Sequence, residues 1–247
     1  EKGILKLNPS NKNFFSKTFL ILISFCLTLS CSQKSSDYHA VASRHHLATD
    51  IGMEVLNRGG NAVDAAVAVA FALAVVNPSA GNIGGGGFMI IHLAEKSQNI
   101  ALDYRERAPL NSSTNMYLDD DGNVIEGLSL NSTLASGVPG TIAGLFYASQ
   151  KFGSLNIESL IEPSIKLAKN GFILSEFQSK NINKYKNKFK KNVDATRIFT
   201  RPGGFKTNDL LIQEDLGNTL ERISKNGMSE FYSGQTARKI SDFFNSN

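Results

Sequence analysis

Apolar positions along this 247-residue chain recur at two spacings, and the switch between them marks the elements. Alternation over Tyr38-His39-Ala40-Val41-Ala42-Ser43 predicts a strand, and helical spacing over Leu47–Leu56 predicts a helix stopped by Gly59-Gly60. Asn61 then caps an almost uninterrupted apolar segment, Ala62–Val76, whose only charge is Asp64 in the first turn, where a carboxylate complements the helix dipole. Such a helix has no face for water and belongs in a core. Beyond Pro78 and a glycine run, Phe88–Leu93 and Ile100–Tyr104 read as two strands of an antiparallel hairpin joined by the polar turn Glu95–Asn99. Met116–Val124 reads as a turn-centred loop, and amphipathic spacing predicts helices over Thr141–Lys151, Ile157–Lys169, Glu214–Lys225 and Gln235–Phe244.

The earliest apolar run, Phe19–Leu29, follows Lys12 and Lys17 and falls short of the ~20 residues that span a membrane. A basic flank before a short apolar core reads as an export leader over residues 1–31. Leu27-Thr28-Leu29-Ser30-Cys31 resembles a bacterial lipoprotein box, except that Thr28 stands where leucine is usual, so Cys31 is a lipidation candidate. Residues 32–37 form a polar linker, leaving 38–247 as the folded domain of a protein exported to the periplasm or held at the envelope membrane through Cys31. Glu1 at the start, and an apolar-periodic run still in progress at Asn247, read as a fragment at both ends.

Charge and cysteine content narrow the picture further. Losing residues 1–30 removes four lysines and Glu1 and takes the formal charge from +4 to +1, so the basic balance argues nothing for nucleic acid. Both cysteines, Cys26 and Cys31, lie at the leader, which leaves the folded part without a disulfide or cysteine ligand. His45 and His46 diverge as neighbours and suit a helix start better than one metal, and Asp119-Asp120-Asp121-Gly122 lacks the remaining ligands of a calcium loop. No cofactor or metal is expected. Lys184, Lys186, Lys188, Lys190 and Lys191, interleaved with Tyr185 and Phe189, read as a solvated helix face with two core-facing aromatics.

The candidate chemistry lies between Gly81 and Pro109. Gly84-Gly85-Gly86-Gly87 allows either close approach to an anion or tight packing, but no Lys-Ser or Lys-Thr follows and the run leads into a strand, which disfavours a nucleotide. Arg105, flanked by Asp103 and Glu106 at the end of the second strand, offers a planar fork that one carboxylate can hold while another anion is gripped, or else makes an internal salt bridge.

At these residues the chain resembles the gamma-glutamyltranspeptidase family. Asn61–Ala68, Gly81–Met89, Asp103-Tyr104-Arg105-Glu106 with Ala108-Pro109, Ala135–Thr141, Pro163–Gly171, Asn226-Gly227 and Glu230-Phe231-Tyr232 with Gly234 match its motifs in order. The resemblance implies an α+β fold, the four-layer αββα sandwich of N-terminal-nucleophile hydrolases, here as an incomplete fragment. It implies a precursor that cuts itself, a threonine nucleophile at the head of a small subunit that becomes the partner of this segment, and an acyl-enzyme passed to water or an amine. Arg105 corresponds to the arginine that grips the donor's α-carboxylate, with Glu106 and the four glycines shaping the site. No catalytic residue falls within this fragment, so the segment by itself would be inactive. Within the family, acylases acting on cephalosporin side chains and transpeptidases anchoring capsule are alternatives; outside it, a non-catalytic binding lipoprotein of the envelope is another.

Overall fold

A computed structural model describes residues 39–246. The expected export leader over residues 1–31, Cys31 and the expected linker over 32–37 lie outside the described residues, and the folded unit is taken from Ala40 onward.

Helix α1 (His46–Asn57) begins where His45, in extended backbone, accepts a hydrogen bond from the Leu47 N–H at its Nδ1, so the histidine pair serves to start a helix. Arg58 and Gly59 end it, Gly59 turning the chain at φ +89° where a side chain would be strained. Helix α2 (Ala62–Val76) opens on a reciprocal capping box: the Asn61 side chain accepts from Val63 and Asp64 N–H, and the Asp64 carboxylate accepts from Asn61 N–H. Val67, Phe71 and Val75 of α2 are fully buried, and the helix forms the axis of the core. Around it pack α1, α4 (Thr141–Phe152) and α5 (Ile157–Asn170), with the short α3 (Leu128–Asn131) preceding α4 in the chain.

Strands β1 (Phe88–Leu93) and β2 (Gln98–Asp103) form the expected antiparallel hairpin, with Phe88 opposite Asp103 and Leu93 opposite Gln98. Ser97, at φ 47°, makes the turn. A second antiparallel pair, β3 (Phe172–Ile173) with β4 (Leu210–Leu211), brackets α6 (Glu176–Lys184), α7 (Lys186–Phe189) and α8 (Val193–Phe199). The chain continues through α9 (Glu214–Asn226), α10 (Met228–Tyr232) and α11 (Gln235–Ser246), α9 lying along α5. Among the described residues the strands make two separate two-stranded sheets, so this segment supplies mostly helical layers.

Two expectations need correction. No strand forms over residues 39–43: Val41 is tucked against Gly52 of α1, so helix packing, not a neighbouring strand, satisfies its alternation. Of the two aromatics in the lysine tract, Phe189 joins the core against Phe199, their rings 5.2 Å apart, whereas Tyr185 is exposed with Lys184 and Lys188 over its ring at 5.6 and 5.7 Å. The two lysine ammonium groups thus cover that ring where Phe189 uses packing.

Candidate functional site

Gly86 and Gly87 of the glycine run accommodate protein packed against them. None of Gly84, Gly85, Gly86 or Gly87 has a positive φ, so freedom from a Cβ is what the positions use. A Cβ on Gly86 would lie 2.5 Å from the Tyr104 carbonyl oxygen and 2.8 Å from the Arg105 carbonyl carbon, and one on Gly87 would meet the Tyr104 ring at 3.0 Å. The Gly85 carbonyl points at the start of α4 and accepts from both Gly140 N–H (2.7 Å) and Thr141 N–H (3.0 Å). The positive end of that helix is thereby occupied by backbone. Nothing in the structure explains a glycine at position 84, which has open space around it.

Beyond β2 the chain stays bonded. Tyr104 N–H donates to Gly87 O at 3.0 Å, while Arg107 and Val138 exchange both backbone hydrogen bonds, at 3.1 and 2.7 Å. Arg105 stands between these anchors. Its backbone N–H is taken by Asp103 Oδ1 at 3.0 Å and its Nε by Glu106 Oε2 at 2.9 Å, and its guanidinium lies 5.9 Å from the Phe88 ring centre. The side chain is 61% exposed, and its terminal nitrogens carry no ion pair among the described residues. One edge of the fork is therefore held and the other is free for a second anion. The Glu106 carboxyl is kept below the usual carboxylate range by a hydrogen bond from its own backbone, then by the Arg105 side chain, with Gly86 N–H adding to both. Glu106 is thus an anion throughout the neutral range.

Arg105 lines a groove of about 1160 Å³ whose walls include Tyr104, Pro139, Gly144, Tyr147 and Tyr232. Val138 and Tyr147 of its lining are exposed, as are Phe88 and Ile90 on β1, opposite the lining residues Asp103 and Ala101. Among the described residues no group of three or more His, Cys, Asp or Glu is placed to hold a metal ion.

Several residues that build this corner were given no role at the site by sequence reasoning, Gly140 and Tyr232 appearing there only within family motifs. Gly140 and Gly144 both receive Tyr104, the first its carbonyl oxygen and the second its ring, at separations that leave no room for a methyl group. Gly140→Ala is expected to destabilise the protein by about 2–3 kcal/mol, because the obstructing atoms are backbone and cannot swing away. A denaturation midpoint equal to that of the unaltered protein would show the steric reading to be wrong. The spacing Gly137, Gly140, Gly144 was the available signal. Tyr232 stood out only as part of the family motif Glu230-Phe231-Tyr232; its role was not readable there, since its contacts lie about ninety positions back in the chain.

Three comparisons bear on what such a corner belongs to. Residues 48–247 match the family model described as Gamma-glutamyltranspeptidase. A protein named glutathione hydrolase proenzyme from Pseudomonas sp. (strain A14) is 44% identical over 233 residues, covering 92% of this chain and 40% of that protein. Among solved structures, Helicobacter pylori gamma-glutamyltranspeptidase aligns with a TM-score of 0.82 at 46% identity, over 85% of this chain and 60% of that one. The Bacillus anthracis transpeptidase enzyme CapD aligns at 0.70 and 34% identity, over 84% and 65%. This chain therefore spans about two fifths of the curated relative's length. The likeness bears out an α+β N-terminal-nucleophile-hydrolase fold, of which these residues make a part. With a matched region that contains the buried helix, the glycine turn and the arginine segment alike, the chain belongs to the gamma-glutamyltranspeptidase family.

Proposed function

We propose that this chain is the front part of a precursor whose mature form hydrolyses, or transfers to an acceptor amine, the γ-glutamyl group of glutathione and related compounds. The observation that carries the reading is Arg105: Nε fixed by Glu106, terminal nitrogens unpaired among the described residues, at the edge of a groove. A planar fork with one edge free suits the donor's α-carboxylate and fixes where the γ-carbonyl lies. The names of the relatives, glutathione hydrolase proenzyme among them, support the same substrate class.

The chemistry then falls to a threonine exposed by self-cleavage, at the head of a small subunit. Its hydroxyl attacks the γ-glutamyl carbonyl, its own amine takes the proton and returns it to the departing nitrogen, and the amine leaves to give an acyl-enzyme. Water resolves that ester to glutamate, or an amino acid or peptide resolves it to a new γ-glutamyl amide. The exposed apolar residues Val138 and Tyr147 of the groove, with Phe88 and Ile90 on the neighbouring strand β1, support a second polypeptide closing over it. No cofactor is required by this sequence of steps. Export to the periplasm, with Cys31 as a lipid attachment point, completes the proposal.

Full-length protein that has cleaved itself is expected to release the chromophore from a γ-glutamyl anilide and to do so faster when an acceptor dipeptide is added. Complete self-cleavage with no release would exclude the γ-glutamyl reading and favour a related acylase or capsule-anchoring transpeptidase.

A further inference from the structure

The hydroxyl of Tyr232 is engaged twice across the groove. It donates to Pro139 O at 2.8 Å and accepts from Ala143 N–H at 3.1 Å, which uses its single proton and one of its lone pairs. Ala143 is the third residue of α4, so its N–H is one of those a helix leaves without an internal partner. Gly140 and Thr141 N–H are taken by Gly85 O. The start of α4 is thus capped from two distant places, the glycine turn on one side and Tyr232 on the other.

Tyr232 is itself firmly seated. The buried Glu230 carboxylate accepts from Arg222 Nε, Thr236 N–H and Thr236 Oγ1, each at 3.0 Å, and from Gln235 N–H at 3.2 Å, which ties α9, α10 and α11 into one body. Phe231 beside it is buried in the core. Burial also raises the Tyr232 phenol above its ordinary range, so it stays a donor under all ordinary conditions.

What the hydroxyl fixes is the segment on which Arg105 rests. Val138 is bonded in both directions to Arg107, and Gly140 is packed against the carbonyls of Tyr104 and Arg105. A shift at Pro139 is therefore transmitted on both flanks to the arginine, with no flexible side chain between to absorb it. We infer that Tyr232 is a positioning residue for the Arg105 anion site, setting through Pro139 and Ala143 where the guanidinium stands. This rests on the α-carboxylate role proposed for Arg105.

The test is a double-mutant cycle in the full-length, self-cleaved protein, using a γ-glutamyl anilide and the corresponding 4-aminobutyryl anilide, which lacks the α-carboxylate but keeps the scissile bond. Tyr232→Phe, which removes only the hydroxyl, is expected to raise KM for the γ-glutamyl donor about tenfold with kcat nearly unchanged, as loss of ~1.4 kcal/mol of positioning would. In the Arg105→Ala background the same change should alter KM less than twofold, and turnover of the carboxylate-free donor should be unaffected by it. Equal losses on both donors, or effects of Tyr232→Phe and Arg105→Ala on KM that simply multiply, would assign Tyr232 to general structure and overturn the inference. An Arg105→Ala protein with unchanged KM would instead remove the Arg105 role itself, and the inference with it.

Discussion

Arg105→Ala is expected to raise KM for a γ-glutamyl donor about 100-fold or more, with self-cleavage complete and kcat reduced far less. Two charge-assisted hydrogen bonds, at about 1.5–3 kcal/mol each, account for that size. The change removes no buried contact: the side chain is largely exposed, and among the described residues its only ion-paired partner is its own neighbour Glu106, Asp103 holding the backbone N–H that the substitution keeps. Stability should therefore stay within about 0.5 kcal/mol of the unaltered protein. Arg105→Lys keeps the charge but loses the fork and should fall between the two. A KM within threefold of normal for Arg105→Ala would show that the carboxylate is held elsewhere. The Glu106 clamp also predicts a pH profile. Because its carboxyl is held below the ordinary range, the ion pair persists as pH falls from neutral through mild acid and is lost only below that lowered value. KM should accordingly stay flat down to the ordinary carboxylate range, after allowance for titration of the donor's own carboxylate.

How much of this was legible in the sequence depended on whether an interaction is local. Asn61, Asp64 and the apolar run after them specify α2 to the residue because cap chemistry and periodicity act within a few positions. The hairpin and the Arg105–Glu106 pair were readable for the same reason, being neighbours in the chain. Even there the detail differed, since Asp103 holds the backbone of Arg105 and not its side chain. Elements defined by distant partners gave no signal. Strands β3 and β4 are two residues each and exist only because Phe172 meets Leu211 and Ile173 meets Leu210. Helix α10 is five residues long, and what it does at the groove depends on a hydroxyl reaching back to Pro139. The glycine run was legible as a place of close approach, but what approaches is Tyr104 and Arg105 backbone from the same chain.

The opposite wall of the groove depends on a carboxylate that the sequence assigned only to a helix dipole. Asp64 is fully buried with no cationic partner among its recorded hydrogen bonds, and its charge is balanced by donors alone. Oδ2 accepts from Asn61 N–H at 2.9 Å, Ser154 N–H at 3.0 Å and Ser154 Oγ at 2.6 Å. Oδ1 faces Ser154 N–H at 3.1 Å and Leu155 N–H at 3.3 Å. Gly153 beside it leaves no room for a Cβ, which would sit 2.5 Å from Oδ1. Asp64 thus staples the start of α2 to the loop between α4 and α5, and Ser154 and Leu155 of that loop line the groove. Asp64→Asn is expected to cost about 3 kcal/mol, close to Asp64→Ala, because an amide offers one acceptor oxygen and turns an NH2 group toward donors. Ser154→Ala, which loses one hydroxyl donor and keeps the backbone bonds, should cost only about 1 kcal/mol. Denaturant titration of the full-length protein would read all three. If Asp64→Asn unfolded within 0.5 kcal/mol of the unaltered protein, the carboxylate would be dispensable and shape alone would hold the loop. The ordering Asn near Ala, both far worse than Ser154→Ala, is what a buried anion held by backbone N–H groups requires.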